Sequence, residues 1–340
     1  MMSGIKKCFS KTQTYVLLAI IGYCVFVTIM SPSFFQLSTL FEFVGTTSSY
    51  FLILALGAFV VLLSGGIDVS FASIAVFGAY ASVRFLMATN IQSILVAFLV
   101  AISVGLALGA VNALVIHFFK LPTLIATLAT QSIYVGLLAT LIGTESINTT
   151  VYPAVLKEFG AANLIEIARE NGTKYGLRTF VIITIVCVVL TWFLLNRTMI
   201  GRSVYALGNS EEAANRVGFS LLKTRLFTYM YSGALATIGG VILFAQVAWL
   251  TPISNELLGS ELMIIAAVII GGAKLTGGEG TVFGTILGVI LVKLFDTTLT
   301  HIGLSTSWKN FFTGFVLLVI ITWTSVQRNA RRKRMLIYDE

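Results

Sequence analysis

Residues 196–224 read NRTMIGRSVYALGNSEEAANRVGFSLLKT. Long apolar runs flank this polar stretch, in a chain that is otherwise mostly oil, so its charges need a place outside a membrane. Asn209-Ser210-Glu211-Glu212 fits a capping box, in which an Asn or Ser caps the helix and a Glu three residues on reaches back to free N–H groups. Gly218 offers the left-handed position that stops a helix. About two turns lie between, too few to hold alone in water. The small apolar Ala213, Ala214 and Val217 stand there among Glu211, Glu212, Asn215 and Arg216, with Phe219 following. A short capped helix of this kind is read as one that packs against another protein.

Composition agrees with a second solvent. Hydrophobic residues make up 57% of the chain and charged residues 11%, against about a quarter charged in a soluble protein. Apolar runs of about 20 residues match the hydrocarbon thickness, and the spans are expected at 15–30, 40–63, 67–87, 93–118, 122–142, 179–196, 225–248, 261–272, 281–299 and 309–326. The eighth is short for about 30 Å of hydrocarbon and reads as a half-helix buried in protein. Lys6, Lys7 and Lys11 precede the first run, but residues 31–35, Ser-Pro-Ser-Phe-Phe, are no small-residue cleavage site, so the run is kept as a span.

Ten spans put both termini on one side. With the N-terminus inside, the inner segments hold most of the 22 Lys and Arg, as the positive-inside rule asks. Residues 196–224 are then cytoplasmic and 143–178 external, with a short surface helix expected at 164–169. The net charge of +8 follows alternate loops, which excludes a nucleic-acid surface. The cluster at 328–334, RNARRKR, reads as a stop-transfer anchor on anionic lipid. Cys8, Cys24 and Cys187 are scattered and give neither a disulfide framework nor a metal site.

Two spans break in a similar pattern. Residues 63–70 read LSGGIDVS and 270–280 read IGGAKLTGGEG, each followed by a Phe-Gly pair, Phe77-Gly78 and Phe283-Gly284. An internal repeat of the kind transporters use fits this pattern, and so does chance. Gly65 and Gly66 open the first break, and Asp68 with Ser70 close it. Asp68 has two readings: a cap on the next helix, or an intramembrane carboxylate on a pathway. Lys274, Gly277, Gly278 and Glu279 form either a plain tight turn or a second cytoplasmic contact. Gly105, Gly109, Asn112, Gly233, Gly239, Gly240, Gly284 and Gly288 are the small or polar residues that let helices approach closely.

Catalytic signatures are missing. The 271–280 loop lacks the Gly-Lys-Ser/Thr ending of a phosphate-binding loop, so ATP hydrolysis belongs elsewhere. His117 and His301 stand far apart at span ends and make no zinc set. Glu42, Asp68, Glu261 and Asp296 are not paired at mid-membrane as a protease or proton relay requires.

Four stretches resemble the membrane permeases of ribose/galactose/xylose-type ABC sugar importers: residues 64–70, SGGIDVS; residues 201–209, GRSVYALGN, with Glu212-Ala213-Ala214 and Gly218; Ser260-Glu261-Leu262; and residues 268–280, VIIGGAKLTGGEG. Their order and spacing span essentially the whole chain. Phe71-Ala72 stand where the family has Val-Gly, and Thr123 follows Pro122 where Pro or Ala is usual. The resemblance implies an all-α polytopic inner-membrane permease, one domain over 1–340. It implies no catalysis, with ATP and Mg bound by a separate cytoplasmic ABC ATPase. That ATPase would seat on Glu211, Glu212, Ala213, Ala214, Asn215, Arg216 and Gly218. It also implies a second permease chain, identical or paralogous, and an external sugar-binding protein. The open alternatives are another small polar cargo (a branched-chain amino acid, a nucleoside or a signalling furanose) and a stand-alone secondary transporter.

Overall fold

The computed structural model describes residues 11–47, 49–168, 174–252 and 257–301, with isolated positions 311, 314, 315, 318 and 322 beyond. The helices are α1 (Lys11–Met30), α2 (Leu37–Glu42), α3 (Ser49–Leu63), α4 (Phe71–Thr89), α5 (Ile94–Phe119), α6 (Thr123–Leu137), α7 (Ala154–Ala161), α8 (Val181–Arg197), α9 (Met199–Asn209), α10 (Glu211–Arg216), α11 (Leu221–Val247), α12 (Glu261–Ile270) and α13 (Val282–His301). Strands β1 (Asn163–Ala168) and β2 (Lys174–Arg178) pair antiparallel.

Five of these helices are long and apolar enough to cross a membrane, or seven if each of two bent pairs is one span. One bent pair joins residues 37–45 to α3 at 40°; the other joins α8 to α9 at 74°. Helix α12, with ten residues, is the short eighth segment expected from its sequence. The expected tenth span, 309–326, lies outside the described residues apart from the isolated positions, and the 328–334 cluster lies wholly outside them.

Helix α3 is apolar on every side and sits at the centre: Ile53, Leu54, Leu56, Phe59 and Leu63 are all fully covered. Lipid gives apolar helices no reason to associate, so contact depends on close backbone approach. Helices α5 and α11 supply it, since a methyl group at Gly105 would lie 2.3 Å from Gly233 O and one at Gly109 2.3 Å from Tyr229 O. These two helices therefore cross backbone against backbone.

The segment 143–178 departs from the all-α expectation. Residues 163–168 form β1 rather than a surface helix. Three apolar residues, Leu164, Ile165 and Ile167, fit either period over so short a run, and the partner strand β2 decides the outcome. At that end of the bundle Ile147 and Leu250 exchange backbone hydrogen bonds of 2.8 and 2.9 Å. Tyr80 donates to Glu145 O at 2.8 Å, and Arg84 lies 3.6 Å from the Glu145 carboxylate.

Candidate functional site

Three of the four sequence motifs meet at the opposite end. Helix α3 stops at Leu63, where Gly65 takes φ +84° and turns the chain. Gly208, next to last in α9, packs against this turn so tightly that a methyl group on it would lie 2.0 Å from Leu63 O. The glycine loop closes the third side, with Gly278 N donating to Leu63 O at 2.9 Å. A methyl group on Gly277 would lie 2.6 Å from Gly65 Cα and 2.9 Å from Gly208 Cα. Asn209 Nδ2 reaches Gly278 O at 3.5 Å and Tyr205 donates to Gly280 O at 3.1 Å. Burial pushes the Tyr205 phenol above its ordinary value, so it remains a donor. The break after α3, the end of α9 and the late loop thus form one junction of three backbones.

From Gly66 to Ser70 the chain is non-helical, and its polar groups are met by α6 and α5. Ile67 N donates to Thr123 Oγ1 at 2.9 Å and Val69 N to Thr127 Oγ1 at 3.3 Å. Asp68 Oδ1 accepts from Ser70 N at 2.8 Å and from Ser70 Oγ at 2.7 Å. Asn112 Nδ2 donates to Ser70 Oγ at 2.7 Å, and the Tyr134 hydroxyl lies 2.8 Å from Asn112 Oδ1. Asp68, Ser70, Asn112 and Tyr134 are all buried. Ser70 stands at the N-cap position of α4 without a side-chain capping bond, and Asp68 holds that residue through its amide and hydroxyl. Non-helical backbone at membrane depth requires internal partners of this kind.

Helix α6 also reaches the second break. Gln131 Nε2 donates to Glu261 Oε1 at 2.9 Å, while Gly259 N donates to Glu261 Oε2 at 2.7 Å. Glu261, within the Ser-Glu-Leu motif, therefore anchors the start of α12 to the helix that holds the 66–70 segment.

The polar stretch that dominates the sequence contains two helices, not one. Thr198 caps α9, accepting from Gly201 N at 3.3 Å, and the chain bends there. Helix α10 begins at Ser210, whose Oγ accepts from Ala213 N at 3.2 Å. This corrects the capping box by one residue. Asn209 is spent finishing α9, its Nδ2 donating to Tyr205 O at 2.9 Å. Glu212 then falls at the second position and lies 3.6 Å from Arg216, one turn on. The stop is as read: Gly218 takes φ +91°, Gly218 N donates to Asn215 O at 3.0 Å, and Phe219 N donates to Ala214 O at 3.1 Å. Glu212, Ala213, Asn215, Arg216 and Val217 are exposed, whereas Ala214 faces its own chain. Ala214 lets α10 sit close to the bundle and has no surface to give a partner.

Lys274 and Glu279 pair with each other across the glycine loop, and Lys274 N donates to Glu279 O at 3.0 Å. The loop is thus a closed turn with both side chains partly exposed. The comparison with the 64–70 break ends here, since Asp68 is buried and Lys274 is at the surface.

Sequence reasoning missed several partners. Thr123, Thr127 and Tyr134 recur at four and seven residues on one face of α6, a spacing that was available to read. Lys293 and Asp296 form a buried pair on α13 at 2.6 Å, three residues apart, with the Lys293 ammonium 5.1 Å from the Phe51 ring centre. Pairing offsets the cost of both charges. Among the described residues no group of His, Cys, Asp and Glu is arranged to hold a metal ion.

A bundle of broken apolar helices with a polar helix pair at one end is the architecture of a multi-pass membrane protein. Residues 40–321 match the family described as branched-chain amino acid transport system / permease component, and the chain belongs to that family. It is the permease component of an ABC-type importer, a class whose members are pathway subunits, not enzymes. The autoinducer 2 import system permease protein LsrC of Yersinia pseudotuberculosis serotype O:3 (strain YPIII) is 32% identical over 324 residues, covering 94% of this chain and 87% of that one. The protein of the same name from Yersinia pestis (strain Pestoides F) is 31% identical over the same shares. No solved structure matches.

Proposed function

We propose that this chain forms half of the translocation pathway for a small sugar-like cargo in the cytoplasmic (inner) membrane. It crosses ten times with both termini inside, beside a second permease chain. An external binding protein delivers the cargo, and a cytoplasmic ATPase holding ATP and Mg drives the cycle. Autoinducer 2, the cargo in the relatives' name, falls under the signalling-furanose alternative that the motifs left open.

The observation that carries this reading is the junction at Gly65, Gly208 and Gly277. It ties the α9–α10 segment, offered to the ATPase, to the 66–70 break inside the bundle. The seat is the exposed face of α10: Glu212, Ala213, Asn215, Arg216 and Val217, set by the turn at Gly218. Glu211 and Ala214 fix the helix to its own chain. Asp68 and Ser70, with Gly65 and Gly66, hold the break and do not contact cargo. Lys274, Gly277, Gly278 and Glu279 flank the seat.

Bulk on the exposed face tests it. Ala213→Trp should insert normally but lose co-purification of the cognate ATPase and lose uptake. Unchanged ATPase recovery would remove α10 as the seat. Uptake into vesicles should also stop when the ATPase is catalytically dead, and continued uptake would favour a secondary transporter.

A further inference from the structure

Helix α10 has six residues and one fully buried side chain, Ala214. A helix of that length does not hold itself in place. Ser210 and Gly218 close its two ends, but both belong to the same short segment. Among the described residues, one side-chain hydrogen bond links α10 to the membrane helices: Arg225 Nη2 donates to Glu211 Oε2 at 2.7 Å. Arg225 is the fifth residue of α11, and its side chain is only 16% exposed. Its other terminal nitrogen, Nη1, lies 3.2 Å from His117 Nδ1 near the end of α5. Arginine has only donors, so His117 accepts there.

Arg225 therefore bridges three helices with one rigid fork. Two of them, α5 and α11, already cross backbone on backbone at Gly105 and Gly109. The third is the helix offered to the ATPase. A planar guanidinium can hold two acceptors at a fixed angle, whereas an ammonium is a point charge on a flexible stem.

We propose that Arg225 is a positioning residue for energy coupling: it holds α10 in register with the α5–α11 pair, so that a shift of α10 is delivered to the pathway helices. This rests on α10 being the ATPase seat. Arg225 does not touch the ATPase and is not needed for it to bind.

The test uses the whole transporter in liposomes, with ATPase and binding protein present, and reads cargo taken up per ATP hydrolysed. Arg225→Ala should retain the ATPase in co-purification while uptake per ATP falls about tenfold, the size of an ordinary coupling loss. Glu211→Ala, at an exposed carboxylate, should give the same loss and guards against a folding defect at Arg225. Arg225→Lys should fall between. The exchange Glu211→Arg with Arg225→Glu should restore uptake per ATP to within about twofold, because the reversed pair keeps the tie. Normal coupling in both Arg225→Ala and Glu211→Ala would overturn the proposal, as would an exchange variant that binds the ATPase and stays uncoupled. If Ala213→Trp leaves ATPase binding and uptake intact, the seat itself is wrong, a different failure with a different readout.

Discussion

Asp68 holds the start of α4 through one oxygen, which accepts from both the amide and the hydroxyl of Ser70. Asparagine offers the same oxygen in the same place, so Asp68→Asn should keep the fold and lower the melting temperature little. Asp68→Ala leaves a buried amide without that acceptor, a loss of about 1–3 kcal/mol. Thermal unfolding in detergent compares the two. Equal, large losses in both would show that the negative charge matters, which would revive the pathway reading of this residue. Polar contacts between membrane helices are worth about 0.6 kcal/mol on average. Single losses further along the chain, at Asn112 or Tyr134, should therefore cost less than Asp68→Ala. Asp68 was visible in the sequence as an ionisable residue in a broken span, but Asn112 and Tyr134 were not visible as its relay. They lie 44 and 66 positions away, and only the packing of α5 and α6 on the 66–70 segment brings them together.

Two glycines in the α9–α10 segment separate steric from conformational demands. Gly218 needs its left-handed backbone but has open space around it, so Gly218→Ala should cost about 1–2 kcal/mol of strain. That loosens the end of α10 and should weaken ATPase binding about tenfold. Gly208 has an ordinary helical backbone but no room, and Gly208→Ala must push α9 off Leu63 O. It should abolish uptake even where the protein still inserts. Uptake and ATPase recovery, measured side by side, check both, and a harmless Gly208→Ala would mean that the junction carries nothing. The stop at Gly218 was legible because left-handed glycine is a local rule. Of the two caps the sequence offered for α10, Ser210 is the one used, because α9 ahead of it claims Asn209, and the capping box with Glu212 does not form. Helix α9 was itself missed, since MIGRSVYALGN carries neither a long apolar run nor a strong cap beyond Thr198. The pairing of β1 with β2 was unreadable for a related reason: neither strand is stable without the other.

At the scale of the whole molecule, the apolar runs and the ordered motifs were enough to give the class. What they did not give is how the pieces meet. Three segments far apart in the chain, at 65, 208 and 277, come within a few ångströms at one end of the bundle. On the proposed function this end is cytoplasmic and α10 is where the ATPase sits. The most direct measurement is site-specific cross-linking in membranes. Cys8, Cys24 and Cys187 are first replaced, and a single cysteine is then placed at Ala213 or, as a control at the other end, at Lys157. A cross-link to the cognate ATPase is expected from Ala213→Cys, none from Lys157→Cys, and labelling of Lys157→Cys alone by an impermeant maleimide added outside. An ATPase cross-link from Lys157→Cys, or outside labelling of Ala213→Cys, would contradict the proposed function.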